Sequence, residues 1–217
     1  MSSFSISGHD VAKNASEGIS LELLSNGLTF DLAGLAPGVS GIEPAIMHRF
    51  GLSDAFDPAG CEAVSLDAGP HLAGGEALVP VIRSHLELAV ELCELPGLRA
   101  VAWGPAQSLN SPAHFDSSVR RWLEGGVFPG LGLTALADDG HGGMRSEGLS
   151  FFIGQELQVS PGIALDKAGS AQLALRLIHE LVEAGGLDEA QEIIGPDGGI
   201  LSLEPIDGGN IVSVKRG

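Results

Sequence analysis

Basic residues are scarce in this chain. Lys and Arg number 11 against 28 Asp and Glu, a formal net charge of −17. A field of that sign repels the phosphates of nucleic acid and anionic lipid headgroups, so neither is expected as a partner. It attracts a basic protein, and it also favours solubility. Cysteine is scarcer still. Cys61 and Cys93 stand far apart among apolar neighbours. That spacing does not indicate a disulfide framework, and it lacks the clustered ligands of a zinc site. Two buried thiols in a reducing cytosol are the expectation. No apolar run approaches the roughly 20 residues that cross a bilayer. The longest, residues 78–95, is broken by Arg83, His85, Glu87, Glu91 and Glu94. The opening MSSFSISGHD has neither the basic nor the apolar region of a secretory signal. A cytoplasmic protein with no membrane partner is expected.

Catalytic signatures are missing too. Ser108, Ser111 and Ser150 have no G-x-S-x-G setting. The glycine-rich pieces at 130–132 and 195–199 lack the strand–turn–helix context and the lysine of a phosphate loop. No cofactor is expected.

What is present is a foldable core. Apolar residues make up 44% of the chain, and a chain of this size buries about 70% of its unfolded surface. Asn26-Gly27 separates two alternating apolar runs, 19–24 and 28–32, and predicts a hairpin. Residues 35–57 are rich in Gly, Pro, Ala and Ser and read as a connection, with one short helix near 44–50. A strand at 62–67 leads into a helix over 76–95, with Pro80 in its first turn. A strand at 99–103 precedes a helix that Ser111 caps and Gly125 ends. Strands are expected at 131–137, 148–153 and 156–159. A helix capped by Asp166 or Ser170 follows, ending at Gly185. Residues 200–206 and 211–214 flank Asp207-Gly208-Gly209 as a second hairpin. Strands that are sometimes adjacent and sometimes separated by a helix imply an α+β fold: a mixed β-sheet, about three main helices packed on it, and hairpins at both ends. One domain over 1–217 is expected, with 1–57 as an N-terminal subregion.

Val101-Ala102-Trp103, Phe128-Pro129, Glu147-Gly148-Leu149 and Gly154-Gln155-Glu156-Leu157 resemble the DUF4261 family of uncharacterised bacterial proteins. The resemblance runs from about residue 98 to 217. It implies a bacterial α+β protein without assigned chemistry. Relatives are sometimes suspected of partner binding, including immunity-type roles beside toxins.

Four groups of polar or aromatic residues could carry function. Asp138, Asp139, His141 and Glu147 lie on or beside one glycine-rich loop and could ligate a divalent ion, though an acidic surface turn has the same composition. Trp103 and Trp122 could line a ligand groove or fill the core. His114 and Asp116 sit two residues apart on one helix and so face differently. Arg120 and Arg121 could anchor an anion, or pair with carboxylates such as Asp116 one turn away. The leading expectation is a non-enzymatic cytoplasmic bacterial protein that binds another macromolecule, with a basic protein as partner and homo-oligomerisation compatible. The alternatives are a small metal-dependent hydrolase at the acidic loop and a small-molecule sensor.

Overall fold

Asn26 and Gly27 take φ of 51° and 78°, the left-handed pair that joins two strands in register with their twist. Ser111 accepts a hydrogen bond from the His114 N–H, and Asp166 one from the Gly169 N–H. Gly185 closes its helix at φ 79°. These local signals set one hairpin turn and the ends of two helices. The computed structural model describes residues 5–7, 21–35 and 45–217. In chain order its strands are β1 Ser5–Ser7, β2 Leu21–Ser25, β3 Leu28–Ala33, β4 His48–Phe50, β5 Ser65–Ala68, β6 Val101–Trp103, β7 Ser108–Asn110, β8 Ala135–Asp138, β9 Met144–Glu147, β10 Glu156–Val159, β11 Gln191–Ile194, β12 Ile200–Ile206 and β13 Ile211–Arg216. The α-helices are α1 Val79–Leu92, α2 Pro112–Leu123, α3 Ser150–Ile153 and α4 Lys167–Ala184. The fold is α+β with mixed pairing, as expected, but among the described residues its strands are distributed over three sheets.

The described chain divides into two compact units, with residues 53–100 in the first and 101–217 in the second. The connection expected at 35–57 contains Ala45–Leu52, which belongs to the second unit. The helix expected near 44–50 is instead β4, which pairs in parallel with β7 at His48↔Ser108. Of these expectations, residues 19, 20 and 36–44 lie outside the described residues.

The first unit holds a four-stranded sheet in the order β1-β2-β3-β5. Leu23, Phe30 and Leu32 from this sheet pack with Val81 and Leu88 of α1. Cys61 is exposed and Cys93 only half-buried, which corrects the expectation of two buried thiols. His85 of α1 is a core-edge histidine. Its Nε2 lies 3.0 Å from the Leu66 carbonyl, and its ring meets Phe30 at 5.5 Å. Burial pushes its pKa below the ordinary histidine value, against the opposing pull of the Leu66 carbonyl and Asp67. The neutral ring is thus the folded form. A depressed value means that stability is complete above about pH 6.5 and is lost as pH falls through the lowered value. Thermal midpoints measured between pH 7.5 and 5.5 should fall on acidification. His85→Gln should flatten that fall. An unchanged slope in the variant would place the titration elsewhere.

The second unit is built on a six-stranded sheet in the order β11-β12-β13-β10-β9-β8. β10 and β13 run parallel, and the other neighbours are antiparallel. Leu157, Val159, Leu201, Leu203, Val212 and Val214 of this sheet are buried, as are Leu173, Ala174, Leu177, Ile178 and Leu181 of α4. α4 packs on β9 and β10. α2 buries Phe115, Val119 and Trp122. The strand expected at 148–153 is the short helix α3, which carries Phe151 and Phe152 to Trp103 and Phe128. Among the described residues no helix is long and apolar enough to cross a membrane.

Candidate functional site

The acidic loop between β8 and β9 turns its carboxylates back on itself. Asp138 accepts the Gly140 N–H at 2.8 Å and pairs with Lys167 at 3.1 Å. The Gly140 hydrogen bond first, and Lys167 second, hold its pKa below the ordinary carboxylate value. One oxygen of Asp139 accepts from both the His141 and Gly143 N–H groups, each at 2.8 Å. These are local turns that Asp side chains make readily. His141 is exposed. Glu147 stands at the far end of β9 and bonds to His48, not to the loop. Among the described residues no three His, Cys, Asp or Glu side chains gather as metal ligands. Asp138, Asp139, His141 and Glu147 thus do not gather into one ligand cluster in this structure.

The other candidates have different surroundings. Trp103 is a core residue at 8% exposure, edge-on to Phe151 at 5.6 Å and stacked on Phe152 at 6.3 Å. Trp122 meets Phe128 edge-on at 5.4 Å. Both tryptophans fill the core. His114 stacks on Phe50 and places Nε2 3.3 Å from the Leu131 carbonyl. Arg120 donates to Asp116 at 2.7 Å across one helical turn, the expected pairing, and Arg121 is exposed. His179 is half-buried and accepts the Phe128 N–H at 3.3 Å.

Two arrangements in the second unit were not visible in the sequence, although Glu147 was named there. The first is a polar groove of about 370 Å³ flanked by residues 104–107 and by Arg145, Glu147 and Glu156. At its side, Glu147 Oε2 and His48 Nε2 lie 2.5 Å apart. A carboxylate so placed fixes the imidazole and can support proton transfer. Glu156 is buried and saturated. Its Oε1 accepts the Gly148 N–H at 3.0 Å and the Ser150 N–H at 3.1 Å, and its Oε2 accepts the Ser146 hydroxyl. The Ser146 oxygen in turn accepts the Leu157 N–H at 2.7 Å. Gly148 has φ +87°, and a Cβ there would stand 2.8 Å from Ala106 Cα. The close approach of the two backbone segments therefore requires glycine.

Gln155, beside Glu156, is a clamp. Its Nε2 donates to the Leu187 and Gly209 carbonyls, and its Oε1 accepts the Leu187 N–H at 2.8 Å. The run Gly154-Gln155-Glu156-Leu157 therefore holds the fold. No family model, no curated protein and no solved structure matches this chain. Its function is read from its own geometry.

The second arrangement is an open sheet edge. β11 is the end strand of the six-stranded sheet. Gln191, Glu192 and Ile194 on it are exposed, and so are Asp188 and Glu189 just before it. Ile194 is 71% exposed, and Ile200, its cross-strand neighbour on β12, is 54% exposed. Two isoleucines facing water beside three carboxylates combine an apolar anchor with an acidic border.

Proposed function

We propose that this chain is a non-enzymatic, cytoplasmic bacterial protein that binds a basic protein partner. The observation that carries the reading is the excess of carboxylate over base, −17 in net charge, set beside the exposed isoleucines of β11 and β12. An acidic field steers a basic partner into encounter, and apolar anchors slow its departure. The resemblance to the DUF4261 family, with its suspected immunity-type relatives, supports partner binding in the same sense. The polar groove with His48 and Glu147 contributes polarity to the second unit and plays no part in the reading.

Steering makes a kinetic demand. Exposed charges are screened beyond about 8 Å at physiological ionic strength. The association rate of a captured partner should therefore fall at least tenfold between about 20 mM and 300 mM salt, with a smaller change in dissociation. Stopped-flow or surface-capture kinetics across that range measure it. A salt-independent association rate would remove the electrostatic basis of the reading.

A further inference from the structure

We infer that the open edge of β11 takes up an extended basic segment of the partner as an added strand, an inference that rests on the proposed function. The backbone supplies the first reason. The Gly195 N–H donates to the Gly199 carbonyl at 2.8 Å, directly after the Ile193↔Leu201 and Ile194↔Ile200 pairs. In an antiparallel ladder, alternate residues point their N–H and C=O toward the neighbouring strand. Residues 191, 193 and 195 therefore bond to β12, while Glu192 and Ile194 aim their backbone groups outward. No strand lies on that outer side among the described residues. An added strand would satisfy those groups by main-chain hydrogen bonding, the usual basis of strand addition.

The side chains decide the occupant. Successive residues of a strand alternate faces. Glu192 and Ile194 share one face with Ile200 and Ser202, while Ile193 shares the other with buried Leu201. An incoming strand thus meets Glu192 and two exposed isoleucines on one face, with Asp188 and Glu189 at its end. A segment that alternates Lys or Arg with Val or Ile complements both features. A second copy of this chain would bring the same carboxylates against themselves, and like charges opposed across strands are destabilising. The opposite edge is blunted. Ala135 of β8 is fully buried, and Asp138 is tied to Gly140 and Lys167.

The test uses the full chain labelled with nitrogen-15 and a synthetic nine-residue peptide alternating Lys and Val. Amide shifts on titration at low salt should concentrate at residues 189–195. Ile194→Pro removes one outward N–H without touching the β12 ladder, since proline is tolerated on an edge strand facing solvent. It should weaken peptide binding at least tenfold with an unchanged amide spectrum elsewhere. If that variant fails to fold, Glu192→Lys should weaken binding by a similar factor. Binding with shifts elsewhere, unaffected by either variant, would overturn the edge and leave the basic-partner reading standing. No binding at millimolar peptide would overturn the edge. If a partner protein were nevertheless captured with salt-dependent association, the function would survive; if none were, both would fall. A dimer in sedimentation that Ile194→Pro dissolves would assign the edge to a second copy and overturn the inference.

Discussion

Trp122→Ala should cost about 3–5 kcal/mol of stability, the usual effect of truncating a buried large aromatic side chain. Trp122 is 5% exposed and shares its helical stripe with Phe115 at 1% and Val119 at 0%. Its ring stands edge-on to Phe128, which is edge-on to Phe152 at 4.9 Å. Phe152 in turn contacts Trp103. Truncation therefore opens a void in a continuous aromatic cluster, where neighbours locked in edge-to-face packing can relax only in part. Against a total of about 5–15 kcal/mol for a typical domain, such a loss is large. Urea unfolding followed by circular dichroism would read it. The midpoint should fall by more than about 1 M, and an unchanged midpoint would show that the stripe bears no core.

Glu156→Ala should cost about 2–4 kcal/mol, because it strands two amides and a hydroxyl that the carboxylate now satisfies. Each unsatisfied buried donor costs roughly 1–3 kcal/mol, and water entering from the polar groove would offset part of that. Glu156→Gln keeps an acceptor for the amides and should lose less than half as much. The same urea experiment separates the two. Equal losses for Ala and Gln would show that charge, not hydrogen-bond count, holds the 148–150 turn.

Where chemistry is local, the sequence was readable. Ser111 and Asp166 cap their helices, Gly185 ends one, and Asn26-Gly27 turns a hairpin, because each acts on backbone a few residues away. Arg120 and Asp116 pair for the same reason. The α+β class followed from the order of such signals. Elements that depend on distant partners were not readable. β4 has three residues and gains its strand geometry from β7, far along the chain. Leu149 to Ile153 is apolar enough for a strand. It turns helical because Gly148 and Gly154 take positive φ at its ends and Glu156 accepts the N–H groups of its first turn. β11 is exposed on most of its length and carries no alternation. Its pairing with β12 defines it.

The candidate sites divide in the same way. The acidic loop was visible as composition, yet its carboxylates are consumed by their own turn and by Lys167. His48 and Glu147 are 99 positions apart, and no spacing rule joins them. Glu156 resembled any strand carboxylate until its three donors were in view. An acidic residue directly after Gly-Gln, in a segment with helical and strand signals in conflict, was the one hint in the sequence.

The acidic surface and the open apolar edge are proposed to bind a basic protein together. The most direct measurement is retention from a bacterial lysate at low and moderate salt, beside two immobilised controls: an unrelated protein of equal net charge, and the Ile194→Pro variant. One or a few basic proteins should be enriched on this chain over the charge-matched control, weakened at moderate salt and lost from the variant. Identical retention on this chain and the charge-matched control, or no enriched basic protein at either salt, would contradict the proposal.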